Sequence, residues 1–144
     1  MRKKTVGGLA LAAASVTLLA GCGYVGDELL AQIEAKDGMA IRLDEVVTDV
    51  VWSEFFVICP YSGNKEQINE QLGFEWSGSY DTHVSDSSMT VVFIEGDTVV
   101  ESESISLSDV DMCGIVWERQ SASIELVLHQ EADGRWALTL GDKE

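Results

Sequence analysis

Two runs near the carboxyl end constrain the fold more than any other part of the chain. Ile124, Leu126 and Leu128 alternate with polar residues, and Trp136, Leu138 and Leu140 alternate again a few residues later. A period of two puts each set on one face of a β-strand. The two sets share a face only if Leu128 stands opposite Leu138, and that register makes Ala132-Asp133-Gly134 the connecting loop. Three-residue hairpin loops favour glycine in their left-handed last position, which Gly134 fills. Face parity and turn chemistry therefore specify the same antiparallel hairpin.

The preceding segments extend this pattern. VVWSEFFVIC, residues 50–59, is rich in aromatic and β-branched residues and reads as a largely buried strand, stopped by Pro60, the only proline. SMTVVFIEGDTVVESESISL reads as two antiparallel strands joined at Gly96-Asp97, with loops of two or three residues both compatible. Between these runs, Asn64 followed three residues later by Gln67 resembles a capping box. Ile68 and Leu72 fall four apart and Gly73 is placed to end the turn, so a helix is expected over residues 65–72. DELLAQIEA suggests another helix, capped by Asp27, with Leu29, Leu30 and Ile33 on one face and Gly38 beyond its end. A brief strand is expected at Ala40–Leu43, and FEWSGSYDTHVSDSS reads as loop. No internal repeat or low-complexity block interrupts the chain, and GYVG is its only linker-like stretch. The expected fold class is α+β: a single small domain with a mostly antiparallel curved sheet of five to six strands. One or two short helices pack on one face, with helix 65–72 covering it.

The amino terminus carries different information. Arg2, Lys3 and Lys4 precede an apolar or small run from Val6 to Ala20. That length suits the core of a secretory signal and falls short of the roughly twenty residues of a spanning helix. Leu19-Ala20-Gly21-Cys22 resembles the lipobox of bacterial lipoproteins at every position. The resemblance implies that the Cys22 thiol receives a diacylglycerol, that cleavage precedes Cys22, and that the new amino group is open to acylation. Two or three acyl chains, at about 0.8 kcal/mol per buried methylene, hold a protein firmly where one does not. The implied organisation is a signal peptide at residues 1–21, a lipidated tether at 22–26 and a globular domain at 27–144. The lipid bilayer is the partner, through the acyl chains on Cys22, on the extracytoplasmic face of a bacterial membrane. Gly23 is not the aspartate that favours inner-membrane retention, which leaves the choice of membrane open. The competing reading is a plain secreted protein with an incidental cysteine.

Removing residues 1–21 would leave six basic residues against 25 acidic ones, a net charge of −19. Such acidity argues against nucleic acid, whose affinity rests largely on Lys and Arg contacts to phosphate, and against lying flat on anionic lipid. Its ordinary consequence is solubility through mutual repulsion; the sharper alternative is a surface complementary to a basic partner or to cations. Cys59 and Cys113 would be the remaining cysteines. An even count in an exported chain suggests a disulfide worth about 4 kcal/mol on the chain-entropy model; two buried thiols are the alternative.

A second, looser resemblance covers WSEFFVICPYSGNKEQINEQLGFEW and TVVFIEGDTVVES. Trp52, Pro60, Tyr61, Leu72, Gly73 and Trp76 are similar to the pattern of small uncharacterised bacterial lipoproteins and exported proteins: a strand ending in Pro-Tyr, a helix ending in Leu-Gly, an aromatic residue and Trp, then a hairpin. It implies a fold and no activity.

Chemistry is sought first at the two histidines, because a Ser or Cys nucleophile needs a base. His83 lies among Asp81, Ser85 and Asp86, which reads either as a hydrolase loop or as a solvated one. No strand-turn-helix nucleophile motif accompanies it, and the solvated reading is preferred. His129 ends a strand beside a turn and reads as surface. Calcium would draw on Asp81, Asp86, Asp109 or Asp111, yet no twelve-residue loop of EF type exists, and no cysteine pair has ligand spacing. Glu101 and Glu103 share a strand face, an arrangement usual for a wet surface. There is no glycine-rich phosphate loop, and neither metal nor cofactor is expected. Among the aromatic residues Trp52, Phe55, Phe56, Tyr61, Phe74 and Trp76, most are expected in the core, with Phe74 and Trp76 placed to anchor a partner where the loop begins. The expectation is a non-enzymatic binding, interaction or inhibitor module of the cell envelope; the alternative is an envelope hydrolase using His83 with Asp81 and Asp86.

Overall fold

The computed structural model describes residues 25–36, 40–78, 86–115 and 118–141. Within them lie two helices, α1 (Val25–Lys36) and α2 (Lys65–Leu72), and seven strands. The strands are β1 (Glu54–Ile58), β2 (Ser88–Glu95), β3 (Thr98–Ser106), β4 (Val110–Asp111), β5 (Gln120–Ser121), β6 (Leu126–Gln130) and β7 (Trp136–Leu140). The α+β expectation holds, with the strands divided between two sheets. One has four strands in the order β3-β2-β1-β5; the other has three in the order β4-β7-β6, in which β4 and β7 run parallel.

The central strands β1 and β2 of the four-stranded sheet are buried on both sides, which explains their near-continuous apolar runs. Alternate residues face opposite ways. Phe55, Val57, Met89, Val91 and Phe93 join a core shared with Leu29 and Ile33 of α1 and with Val110, Leu126, Leu128 and Leu138 of the smaller sheet. Phe56, Ile58, Val92 and Ile94 join a second core closed by Ile68 and Leu72 of α2. The helix over residues 65–72 thus covers one face, as its apolar spacing requires. Its amino end carries the expected capping box: the Asn64 side chain accepts from the Gln67 N–H and the Gln67 side chain accepts from the Asn64 N–H, both at 3.0 Å. Gly73, at φ 81°, ends it in the left-handed conformation.

The carboxyl-terminal hairpin has the register that parity demanded, Leu128 opposite Leu138, with Gly134 at φ 88°. In the other hairpin Glu95 faces Thr98, so the loop is the two residues Gly96-Asp97, and Gly96 supplies the positive φ (62°) that a glycine-first turn requires. The ladder slips between Phe93 and Ile94, which pair with Glu101 and Val99 and leave Val100 as an extra, exposed residue.

Three boundaries differ from expectation. First, α1 begins at Val25, so Asp27 lies in its first turn, where a carboxylate suits the helix dipole, and is not the cap. Gly26, assigned to the tether, is helical and faces the Ile105 side chain. Second, the expected strand at Ala40–Leu43 is a single bridge between Ile41 and Leu126. A tight helical turn, Leu43–Glu45, follows because Leu43, Val46 and Val47 bury at helical spacing. Third, β1 is five residues and not ten: the Trp52 indole turns back to donate to the Val47 carbonyl at 2.9 Å, and Val51 is exposed. The tether residue Cys22, the helix-ending Gly38, and Asp81 and His83 lie outside the described residues.

Cys59 and Cys113 form a disulfide, their Cα atoms 5.9 Å apart. Cys59 immediately follows β1, and Cys113 opens the short turn Cys113–Ile115 just after β4. The bridge therefore fastens the larger sheet to the smaller one.

Candidate functional site

The chain turns sharply after β1. The Ser62 N–H donates to the Cys59 carbonyl at 3.1 Å, with Pro60 and Tyr61 as the central pair. Tyr61 sits at φ 62°, the only described residue other than glycine with positive φ. Proline first and a left-handed residue second define a type II turn, whose second position normally takes glycine. Holding a tyrosine there costs about 1–2 kcal/mol. Its ring is largely exposed, and its hydroxyl donates to Asp86 Oδ1 at 2.5 Å; that carboxylate pushes the phenol pKa above its usual value. Asp86, expected either as a partner of His83 or as a calcium ligand, is thus occupied by Tyr61.

The two aromatic residues expected to anchor a partner have different surroundings. Phe74 lies beneath the Arg119 guanidinium, 5.7 Å from Cζ to the ring centroid. Arg119 also pairs with Glu54 and donates to the carbonyls of Leu72 at 3.1 Å and Gly96 at 2.7 Å. Phe74 is therefore part of a junction among α2, β1 and the β2–β3 turn. Trp76 is set differently. The left-handed Gly73 sends the chain back along α2, and the Trp76 N–H donates to Asn69 Oδ1 at 3.1 Å. The indole packs against the α2-side core and lies so close over Gly78 that a β-carbon there would force the ring to move. Beside it is an open depression of about 300 Å³ lined by Lys65, Asn69, Glu75, Trp76 and Ser77, adjoining a shallower one of about 440 Å³ that Glu66 also lines.

The remaining candidates among the described residues take part in the structure or stand at the surface. Trp52 meets Phe93 and Phe55 edge to face, with centroids 4.8 and 6.4 Å away. Asp111 accepts from the Cys113 N–H at 2.8 Å and faces Arg135 at 3.7 Å, while Asp109 is exposed in the turn before β4. His129 is exposed and lies 3.6 Å from Glu131. Among the described residues no three His, Cys, Asp or Glu side chains converge as metal ligands.

Glu101 and Glu103 share the β3 face opposite Phe93 and Val91. Burial, then repulsion from Glu101 and Asp49, raises the Glu103 pKa above the ordinary carboxylate value. The protonated form suits the fold better. This group's contribution is therefore greatest below the unfolded carboxylate pKa and is lost as pH rises through the raised folded value. Glu103→Gln is expected to raise the melting temperature by about 2 °C at pH 7, where ionisation is penalised, and to leave it unchanged near pH 3. Paired thermal melts at the two pH values check the sign.

Sequence reasoning missed Arg119 as a junction and Tyr61 as a left-handed display residue. Pro60 followed by a turn was the one available signal for the latter. No protein-family model, curated protein or solved structure matches the chain.

Proposed function

We propose that the chain is a lipid-anchored extracytoplasmic domain of a bacterial envelope that acts by binding, with the depression beside Trp76 as its contact surface. Cysteine usage carries the reading. Cys59 and Cys113 are joined to each other, a pairing that persists in oxidising compartments, and the remaining cysteine is Cys22, in the Leu-Ala-Gly-Cys motif. Each of the three thiols then has a role outside the cytoplasm. The excess of acidic residues keeps the body of the protein off anionic headgroups, so the acyl chains supply the attachment and the domain stands clear of the bilayer.

The binding part of the reading rests on where polar groups are left uncommitted. Lys65, Glu66 and Glu75 form no ion pair among the described residues, whereas Arg119, Arg135 and Arg42 are all engaged. They surround a rigidly seated aromatic residue at the edge of a helix that already has its own core. Recognition surfaces combine these features: a fixed ring and a rim of groups able to pair with a ligand.

Growth with a clickable palmitate analogue is expected to label the native protein, and Cys22→Ser is expected to abolish labelling and release the protein from the membrane fraction. Undiminished labelling of that variant would overturn the anchor. For the contact surface, a photo-cross-linking residue at position 75 should capture a ligand or partner in intact cells that the same residue at position 127, on the smaller sheet, does not. Equal capture at both positions would remove the depression from the proposal.

A further inference from the structure

Helix α1 begins at Val25, three residues past Cys22, and its Leu29 and Ile33 are completely buried, so the helix is fixed to the domain. Three residues span at most about 11 Å whatever their conformation. Acyl chains on Cys22 would set that residue at the level of the lipid headgroups. Repulsion of the acidic body could then lift the domain no farther than this reach. The point at which the chain enters the domain therefore decides which part of it stands nearest the bilayer.

Strand register locates that point. Gly26 faces the Ile105 side chain, so α1 enters over the carboxyl end of β3. Ser104, one residue earlier, faces Thr90, which in turn faces Ile58 at the end of β1. Adjacent strands lie about 4.8 Å apart, which puts the turn after β1 about 10 Å across the sheet from the entry point, at the same end. The Leu107 N–H donates to the Ser87 carbonyl at 2.8 Å and closes this end between β3 and β2. The opposite end carries Gly96-Asp97 and Arg119. At the entry end Tyr61 is 67% exposed, the one aromatic side chain among the described residues that stands largely in solvent. It keeps φ 62°, where glycine would sit without strain, and its hydroxyl is tied to Asp86. Strain retained at a largely exposed residue marks a use for the side chain. Tyrosine suits the water–lipid boundary, because its ring is apolar on its body and polar at its tip. We propose that Tyr61 is a second membrane contact, resting at headgroup level and, with the acyl chains on Cys22, holding this end of the sheet toward the bilayer. The inference rests on the anchor reading above and adds a lipid-facing surface to it. Asp86 beside the ring and Asp109 in the β3–β4 turn favour a zwitterionic interface over an anionic one.

The test uses the lipidated mature chain in phosphatidylcholine nanodiscs doped with a lipid whose headgroup chelates gadolinium. Paramagnetic relaxation of backbone amide protons at residues 61–63 and 107–108 should exceed that at residues 96–98 at least about threefold. This comparison decides the orientation without any substitution. Tyr61→Gly should melt no lower than the native chain, because glycine suits the left-handed position, yet reduce that ratio at least about twofold. Tyr61→Asn, also at ease in this conformation, gives the same readout if the glycine variant melts early. Tyr61→Phe, which keeps the ring and drops the bond to Asp86, should retain the ratio. Equal relaxation at the two ends, or faster relaxation at residues 96–98, overturns the orientation while leaving the anchor standing. A ratio unmoved by Tyr61→Gly and Tyr61→Asn overturns the Tyr61 contact. A native chain that takes up no palmitate analogue removes the anchor and the inference with it.

Discussion

Replacing both bridged cysteines, Cys59→Ala with Cys113→Ala, is expected to lower the melting temperature by about 10–15 °C. The bridge closes a loop with a sequence separation of 54, and cross-linking a loop of that size removes about 4 kcal/mol of unfolded-state entropy. At roughly 3–4 °C per kcal/mol for a domain of this size, the shift is of the stated order. The location makes the loss harder to absorb. Cys59 stands just past β1 and Cys113 just past β4, so the bridge is a covalent tie between the two sheets. Without it, the larger core depends on side-chain packing alone across the seam. The same shift should appear when the native protein melts in excess reductant, and the double variant should be insensitive to reductant. A native melt unchanged by reduction, under conditions where both thiols then alkylate, would show that the bridge contributes nothing to stability. A loss of 4 kcal/mol is a large share of the 5–15 kcal/mol that holds a typical domain together.

The features legible in the sequence are those fixed within a few residues of one another. The Leu128–Leu138 register followed from parity and one glycine, and helix α2 followed from Asn64, Gln67, Ile68, Leu72 and Gly73, because capping and amphipathic spacing are local. The division into two sheets was not legible. β4 and β5 are two residues each, too short to show any period, and the β4–β7 pairing is parallel between segments far apart in the chain. The strand expected at Ala40–Leu43 shrinks to a single bridge at Ile41, because the helical spacing from Leu43 to Val46 and Val47 decides the structure there. The candidate site was half legible. Phe74 and Trp76 look alike in sequence, two residues apart at the same helix exit. Only the arrival of Arg119 from a distant segment covers one and leaves the other beside a depression.

Arg119 is the residue whose loss should do most damage for a single exposed-looking charge. Arg119→Ala is expected to cost about 3 kcal/mol and about 10 °C in melting temperature. Its partners come from three elements: the Leu72 carbonyl at the end of α2, the Glu54 carboxylate on β1 and the Gly96 carbonyl in the β2–β3 turn, with the Phe74 ring beneath. A helix end leaves carbonyls without intrahelical donors, and Arg119 satisfies one of them. Removing the guanidinium strands that carbonyl, deprives Glu54 of its cation and exposes one side of Phe74. Arg119→Lys should recover less than half, because a single ammonium on a flexible stem does not span acceptors that a planar fork reaches together, and it stacks less well on the ring. The network also predicts coupling. Glu54→Gln alone should cost less than about 1 kcal/mol, since Glu54 is partly exposed, and adding it to Arg119→Ala should cost almost nothing further. Urea melts of the four proteins measure the cycle. Additive losses would mean that Arg119 acts through its carbonyl and ring contacts independently of Glu54. A cost below about 1 kcal/mol for Arg119→Ala would mean that the junction of helix, strand and turn holds without it. In that case the position of Trp76, which hangs from the same helix exit two residues beyond Phe74, would be set without Arg119, with Asn69 and the α2 core among its supports.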